Sequence, residues 1–304
     1  MKESSFHDWL RSTLPPAAGV PVGVGDDAAL LEAGGQIVAA TDLLIEGIHY
    51  DAASTSPEQI GAKAVNRNLS DIAAMGLEAC WLLVGAALPS GTTKPFIEKL
   101  VRGMLAAAEP FGAVLVGGDT ARTTGPLVLD VTVIGTVGEL TPILRSGAAP
   151  GESLMVTGAL GGSILGKHML FTPCVREGLF LNRHYQPTAM IDISDGLDRD
   201  LFRLLDASGG LGVKLDGEAV PVSAAAHELA ATTGKEPLEH ALTDGEDFEL
   251  LFTLPPGRAR DLLADGRRFF PVAEIGSVTP PGERVLLSGG GMSELKGAGF
   301  DHEL

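Results

Sequence analysis

Short strand-like apolar runs alternate with amphipathic helix-like segments along this chain, which limits the fold to a mixed α/β (α+β) architecture. Residues 56–59 predict a helix start, because Ser56 can cap, Pro57 suits the first helical position and Gln59 completes a capping box. The elements expected in the first half are a helix from Ser56 to Gly76, strands at Trp81–Leu88 and Leu127–Val137, and a helix at Lys94–Glu109.

A stretch rich in proline and glycine, Leu140–Gly151, predicts a linker between two α/β halves. We therefore expect an N-terminal domain at 1–139, a linker at 140–151 and a C-terminal domain at 152–304. Ligands of α/β folds commonly bind beyond the carboxyl ends of strands, so a cleft between the domains is the expected site.

Carboxylates follow four of the strand-like runs. The runs are Val22–Val24 before Asp26, Ile37–Ala40 before Thr41-Asp42, Val114–Val116 before Gly117-Gly118-Asp119, and Met190–Ile193 before Ser194-Asp195. A further acid, Asp71, lies within an apolar helix. Because a carboxylate among apolar residues is costly unless it is paired or bound to metal, the pattern predicts divalent cations, as phosphate chemistry uses them.

The net charge of the chain limits the classes of partner that it can bind. Its formal net charge is −17, which argues against binding to a nucleic-acid backbone or an anionic membrane. No apolar run reaches membrane-spanning length, and the first residues contain no apolar signal region. We therefore expect a cytoplasmic protein with neither nucleic acid nor membrane as partner.

The segment Gly161–Lys167 nearly matches a phosphate-binding P-loop. The next residue is His168, where a P-loop has the Ser or Thr that holds Mg²⁺. We interpret the segment as a strand–turn–helix junction, with a helix predicted over Gly162–Leu170. Arg145 and Arg122 are candidate phosphate-binding cations. No Ser or Cys nucleophile motif is present, which favours direct transfer of a group between two substrates over a covalent intermediate on the protein.

Seven motifs in matching order resemble the thiamine-monophosphate kinase family, within the aminoimidazole ribonucleotide synthetase-like superfamily. They are Gly25-Asp26-Asp27-Ala28, Thr41-Asp42 with Gly47 and His49, Asn68–Gly76, Gly117–Thr120, Arg145–Gly151, Ile191–Leu197 and Gly245–Leu250. The resemblance implies a two-domain fold that forms a homodimer through the N-terminal sheet. It also implies transfer of the ATP γ-phosphoryl group to thiamine monophosphate, assisted by several Mg²⁺ ions.

Residue roles follow from the same resemblance. The implied Mg²⁺ ligands are Asp26, Thr41, Asp42, Asp71, Asp119, Asp192 and Asp195. The implied ATP contacts are Asp26, Gly118, Asp119, Arg145 and Ser194, and the implied acceptor contacts are His49, Glu246 and Phe300. Asp42, Asp71, Asp119 and Arg145 are the candidate catalytic residues, because transfer between two polyanions requires charge neutralisation more than a base.

Two alternatives stay open at this point. One is a related enzyme that uses ATP on a different acceptor, and the other is a non-catalytic nucleotide- or metal-binding protein. Ala40 stands where the family often has a hydroxyl, and the segment Lys167–Ala189 is about one helix shorter than usual. The sequence leaves open the number of metal ions and whether the partner chain contributes to the site.

Overall fold

The computed structural model describes residues 13–14, 17–20 and 31–300, in two compact units. The first unit is Met1–Ile72 with Leu77–Glu139, and the second is Ala73–Gly76 with Leu140–Leu304. Among the described helices, none is long and apolar enough to cross a membrane.

The first unit has a four-stranded sheet in its described part, with the order β1-β4-β2-β3. Strands β2 and β3 are parallel, and the other neighbours are antiparallel. Its elements are β1 (Ile37–Ile45), α1 (Pro57–Ala74), β2 (Glu78–Pro89), α2 (Lys94–Ala108), β3 (Val114–Thr123) and β4 (Val128–Thr136).

Local sequence determines how the helices of this unit begin and pack. The predicted capping box is confirmed: Gln59 N donates to Ser56 Oγ at 3.2 Å, and Ser56 N donates to Gln59 Oε1 at 3.0 Å. Helices α1 and α2 contact each other through glycines, since a Cβ on Gly61 would lie 2.1 Å from Leu100 O and one on Gly103 2.0 Å from Glu58 O. Only glycine permits so close an approach of two backbones.

The alternation predicted for Leu127–Val137 is confirmed by β4, whose Leu129, Val131 and Val133 are fully buried. The strand ends expected at Asp42 and Asp119 are wrong. Both acids lie inside strands, because β4 matches β1 residue by residue through Ile45 and β2 continues to pair with β3 as far as Thr123. Strand length is set by the partner strand, which the local sequence does not contain.

The second unit has a seven-stranded mixed sheet in the order β11-β10-β7-β9-β5-β8-β6. Its strands are β5 (Ser153–Thr157), β6 (Ala189–Asp192), β7 (Gly212–Asp216), β8 (Leu250–Leu254), β9 (Val272–Thr279), β10 (Arg284–Ser288) and β11 (Gly291–Glu294). Its helices are α3 (Lys167–Leu170), α4 (Val175–His184), α5 (Leu197–Ala207), α6 (Ala224–Thr233), α7 (Pro237–Thr243) and α8 (Pro256–Asp265).

Helix α5 covers the core of this sheet with an apolar stripe at helical spacing. Leu197, Leu201, Leu204 and Leu205 are fully buried in a cluster that includes side chains of β5, β6, β7 and β8. The continuous helix expected over Gly162–Leu170 is wrong. A 3₁₀ turn at Ser163–Leu165 and the short α3 replace it, because the backbone at Gly166 (φ +143°) is not helical.

Candidate functional site

Thr41 and Asp42 are neighbours in β1, so their side chains point to opposite faces of the sheet. Thr41 lies on the exposed face, where its Oγ1 donates to Asp130 Oδ1 at 2.6 Å. Asp42 lies on the face of the buried Leu44, and its Oδ1 is 3.6 Å from an Arg67 guanidinium nitrogen of α1. The two implied metal ligands of this motif therefore do not share one face.

Helix α1 presents a polar stripe to β1. Lys63, Arg67 and Asp71 follow each other at intervals of four residues, which places them on one helix face. Arg67 also donates to Leu43 O at 3.0 Å. Because Arg67 contacts both Asp42 and the backbone of β1, the stripe brings Asp71 to the same side of the sheet as Asp42.

His49 lies in the turn that follows β1. Its Nδ1 accepts the Ile45 N–H at 3.0 Å, which leaves the ring proton of the neutral imidazole on Nε2. Lys63 is fully buried, and its Nζ donates to His49 O at 2.7 Å. The turn is therefore held from both the strand and α1, and the imidazole can act as a donor through Nε2.

Asp119 and Gly118 lie in β3, on an exposed part of the sheet. The pairing register places Leu43, Asp130, Gly85 and Asp119 in one row across the four strands. A Cβ on Gly118 would lie 2.1 Å from Val84 O, so glycine is required there by the close approach of β2. Asp119 and Asp130 therefore lie on the same face of the sheet as Thr41, opposite to the face of Asp42, and β2 contributes only Gly85 between them.

In the second unit, Asp192 ends β6 and Ser194 and Asp195 follow it, as the sequence predicted for this run. The N–H groups of Ser194 and Asp195 both donate to Asp200 Oδ2, at 3.0 and 2.9 Å. Arg203 lies 2.6 Å from carboxylate oxygens of both Asp195 and Asp200. The turn is therefore held by a carboxylate one helical turn along α5.

The acids of this turn influence each other. Burial raises the pKa of Asp200 to about 6; the Asp195 amide opposes this rise, and the negative charge of Asp192 adds to it. Asp192 itself is only 4% exposed. Arg203 also opposes the rise in the Asp200 pKa, so this turn combines three acids with one guanidinium, and a further cation would stabilise it.

Glu246 lies directly beside this turn. Its N–H donates to Ser194 O at 2.7 Å, and the N–H of Phe248 donates to Ile193 O at 2.8 Å. Both Glu246 (φ 62°) and Phe248 (φ 52°) adopt left-handed backbone conformations, which residues other than glycine rarely adopt. Such outliers concentrate where function requires a fixed geometry.

The C-terminal segment brings Phe300 to the same place. Phe300 N donates to Asp195 O at 2.9 Å, and its ring is 49% exposed. Asp198, in the first turn of α5, accepts the N–H groups of Lys296 and Ala298 through Oδ2, at 3.3 and 2.8 Å. The structure therefore brings Ser194, Asp195, Glu246 and Phe300 together in the second unit.

Arg145 lies in the same unit, on a segment that runs alongside β6. Met190 N donates to Leu144 O at 2.9 Å, and Ser208 Oγ donates to Arg145 O at 3.3 Å. The Arg145 side chain is exposed, as a guanidinium available to a phosphate must be.

The described part of the chain was expected to contain several of the implied metal ligands. Within residues 13–14, 17–20 and 31–300, no three His, Cys, Asp or Glu side chains form a group that could hold an ion. Asp26, an implied ligand, lies outside the described residues. The available donors are carboxylate oxygens, which suit Mg²⁺, and Mg²⁺ commonly combines one or two carboxylates with phosphate oxygens of a substrate.

The sequence analysis did not identify several residues that support the candidate site. Lys63, Arg67, Asp198 and Asp200 fix the backbone or the charge of the predicted site residues. The spacing of Lys63, Arg67 and Asp71 on one helix face was available as a signal. The contact of Asp198 with Ala298 joins residues 100 positions apart, and no local sequence signal indicates it.

Comparison with known proteins places the chain in a family. Residues 25–137 match the family model "AIR synthase related protein, N-terminal domain". The chain is 39% identical to the thiamine-monophosphate kinase of Rhodopirellula baltica, over 91% of this chain and 89% of that protein.

Solved structures of relatives match most of the chain. The thiamine-monophosphate kinase of Stenotrophomonas maltophilia K279a is 31% identical, with a TM-score of 0.78 over 92% of this chain and 95% of that one. AaThiL complexed with AMPPCP and TMP is 28% identical, with a TM-score of 0.77 over 99% and 97%. With both units covered by relatives of this identity, the chain belongs to the thiamine-monophosphate kinase family.

Proposed function

We propose that this protein transfers the γ-phosphoryl group of ATP to thiamine monophosphate, forming thiamine diphosphate. The observation that carries the proposal is the 39% identity to a thiamine-monophosphate kinase across 91% of the chain, which includes both units. The structural relative complexed with AMPPCP, an ATP analogue, and TMP supports the same pair of substrates.

Mg²⁺ fits the donors that the chain offers. We infer that Asp42, Asp71 and Asp119 of the first unit, Asp192 and Asp195 of the second, and Asp26 bind Mg²⁺ that also contacts ATP phosphates. Thr41, whose hydroxyl lies beside Asp130, is a further candidate oxygen donor. When bound, Mg²⁺ supplies positive charge that offsets the phosphate oxygens of both substrates.

The chain's own residues position the reactants. Arg145 and the backbone at Gly118 and Ser194 are proposed ATP contacts, and the exposed Arg145 guanidinium adds a further positive charge near phosphate. No protein nucleophile or strong general base is needed, because the acceptor phosphate, with a second pKa of about 6, is already ionised near neutral pH, so its oxygen attacks the γ-phosphorus directly and ADP leaves. The chain's part in the reaction is therefore alignment and charge neutralisation.

The acceptor contacts follow from the chemistry of thiamine monophosphate, which carries a cationic ring, an aromatic ring and a phosphate. Glu246 supplies a carboxylate for the cation, and the half-exposed Phe300 supplies an aromatic face next to Asp195. His49, with its proton on Nε2, is the proposed donor to the phosphate.

We further propose a homodimer formed through the exposed face of the β1-β4-β2-β3 sheet. That face carries large apolar side chains in solvent, with Ile37 54% and Leu43 50% exposed. Exposed apolar area of this kind is commonly covered by a partner, and a symmetric dimer is the commonest arrangement.

The direct test is ADP release by the purified protein with ATP and Mg²⁺, in the presence and absence of thiamine monophosphate. We expect ADP release only when thiamine monophosphate is present, and none after EDTA removes the metal. Equal ADP release without the acceptor would contradict the proposal. A response only to a different monophosphate would indicate a related kinase with another acceptor.

A further inference from the structure

The glycine-rich segment Gly161–Lys167 has the form of an anion receptor, but its amides bind the chain's own carboxylates. Gly161 N donates to both carboxylate oxygens of Asp247, at 3.0 and 2.9 Å, and Gly162 N donates to Asp244 Oδ2 at 2.8 Å. Lys167 Nζ lies 2.7 Å from Glu249 Oε1 and 3.9 Å from Asp247 Oδ1. The groups that would hold a phosphate are therefore occupied from within the fold.

The fold requires glycine at both positions of this receptor. Gly161 (φ +85°) and Gly162 (φ +70°) both have left-handed backbones, and a Cβ on either would clash. It would lie 2.6 Å from Ala241 N at the first position and 2.4 Å from Ala225 C at the second. The two N–H groups are thus fixed in direction by α6 and α7, which pack against them.

The two bound carboxylates bracket Glu246. Asp244 precedes it by two residues and Asp247 follows it directly, so the receptor holds the segment on both sides. The left-handed backbones of Glu246 and Phe248 cost conformational free energy and persist only where surrounding contacts enforce them. The side-chain contacts to Gly161 and Gly162 supply that enforcement, together with the backbone contacts to Ile193 and Ser194.

We propose that Asp247 is a positioning residue, whose carboxylate, bound by the Gly161 amide, fixes the segment Thr243–Phe248 so that Glu246 is presented beside Ser194. This inference rests on the proposed role of Glu246 in binding the acceptor. Asp247 is 0% exposed, and such a carboxylate is retained in a core only when its contacts offset its loss of water. Lys167 and Gly161 are those contacts.

The first experiment measures steady-state kinetics of Asp247→Ala and Asp247→Asn. In Asp247→Ala, the KM for thiamine monophosphate should rise about tenfold, because a hydrogen bond to a charged group is lost, while the KM for ATP should change less than about twofold. Asp247→Asn should give a smaller rise, since its amide oxygen can still accept the Gly161 N–H. Lys167→Ala should leave the KM for ATP unchanged, because the Lys167 ammonium is paired with Glu249 Oε1 at 2.7 Å.

Glu218→Ala is the matched control, since Glu218 Oε1 accepts the Gly289 N–H at 2.8 Å and the substitution removes the same type of contact on another loop. It should leave both KM values unchanged. Equal rises of both KM values in Asp247→Ala, in proportion to a loss of thermal stability, would overturn the inference. So would an unchanged KM for thiamine monophosphate in Asp247→Ala when Glu246→Gln raises it.

A second measurement does not depend on activity. Hydrogen exchange of the segment 243–250 should accelerate in Asp247→Ala, with no change at the Gly151 amide that donates to Val278 O. Unchanged exchange in 243–250 would overturn the positioning role even if the protein is an active kinase. Faster exchange in a protein that makes no thiamine diphosphate would instead mean that the positioning holds and the proposed function fails.

Discussion

At the scale of single residues, acids in this chain have two different environments. Asp119 is exposed on the sheet of the first unit, whereas Asp192 and Asp200 are buried around one turn of the second unit. Neighbouring buried acids repel each other, since the charge of Asp192 adds to the rise in the pKa of Asp200, which Arg203 opposes. Neutralising a proposed metal ligand should therefore weaken the reaction more than the fold.

Asp71→Asn and Asp119→Asn test this at two positions. Each keeps the shape of the side chain and removes its charge, so we expect kcat/KM to fall at least about a hundredfold with little change in Tm. Glu98→Gln, which removes a partly exposed acid paired with Lys94 on α2, is the control and should retain full activity. Near-normal turnover in both Asp variants would exclude these acids as metal ligands.

The stability of the protein should also depend on Asp247. Burial raises the pKa of Asp247 from 3.8 to about 7, against the opposing effects of Lys167 and the Gly161 amide, and Glu249 and Asp244 add to the rise. A carboxyl whose folded pKa is raised stabilises the fold below its unfolded pKa and loses that contribution as the pH rises through the folded pKa.

The measurement is the free energy of unfolding of wild type and Asp247→Asn by urea titration across the window from pH 3.8 to about 7. Wild type should lose stability relative to Asp247→Asn as the pH rises through this window. A constant difference between the two proteins would show that Asp247 keeps an ordinary pKa.

At the scale of secondary-structure elements, the start of α5 links the C-terminal segment to the turn that contains Ser194 and Asp195. Asp198 binds the amides of Lys296 and Ala298, and Asp195 O binds the amide of Phe300. We therefore expect the position of the Phe300 ring to depend on the Asp198 carboxylate. In the described hydrogen bonds, Asp198 contacts only backbone amides of the C-terminal segment.

Asp198→Ala and Phe300→Ala should each raise the KM for thiamine monophosphate by about tenfold and spare the KM for ATP. The double variant should be no worse than Phe300→Ala alone, because both changes remove the same ring contact. Additive effects in the double variant would show that Asp198 acts independently of Phe300.

Elements also show how far the sequence predicts the structure. The capping box at Ser56 and the alternation in β4 depend on near neighbours, and both were predicted. Strands β1 and β3 continue past Asp42 and Asp119, because their partner strands are long enough to pair with them. The sequence around each acid did not predict this extension. The contact between Gly161 and Asp247 joins residues 86 positions apart. The sequence of Gly161–Lys167 alone therefore does not reveal that a carboxylate of the chain itself binds these amides.

At the scale of the whole molecule, the apolar face of the first unit's sheet predicts assembly. Light scattering at micromolar concentration should give about twice the chain mass of 31.4 kDa. Leu43→Lys, which places a charge on the exposed face, should shift the population towards monomer. Met292→Lys, at an exposed apolar position in β11 of the second unit, should not. A wild-type monomer would contradict assembly through this sheet.

The central claim is the identity of the reaction, and the fate of the γ-phosphate tests it most directly. The purified protein is incubated with Mg²⁺, thiamine monophosphate and ATP labelled in its γ-phosphate, and the products are separated. The account predicts that the label appears in thiamine diphosphate, in equal amount to the ADP formed. Label in inorganic phosphate alone, or in no product, would contradict it.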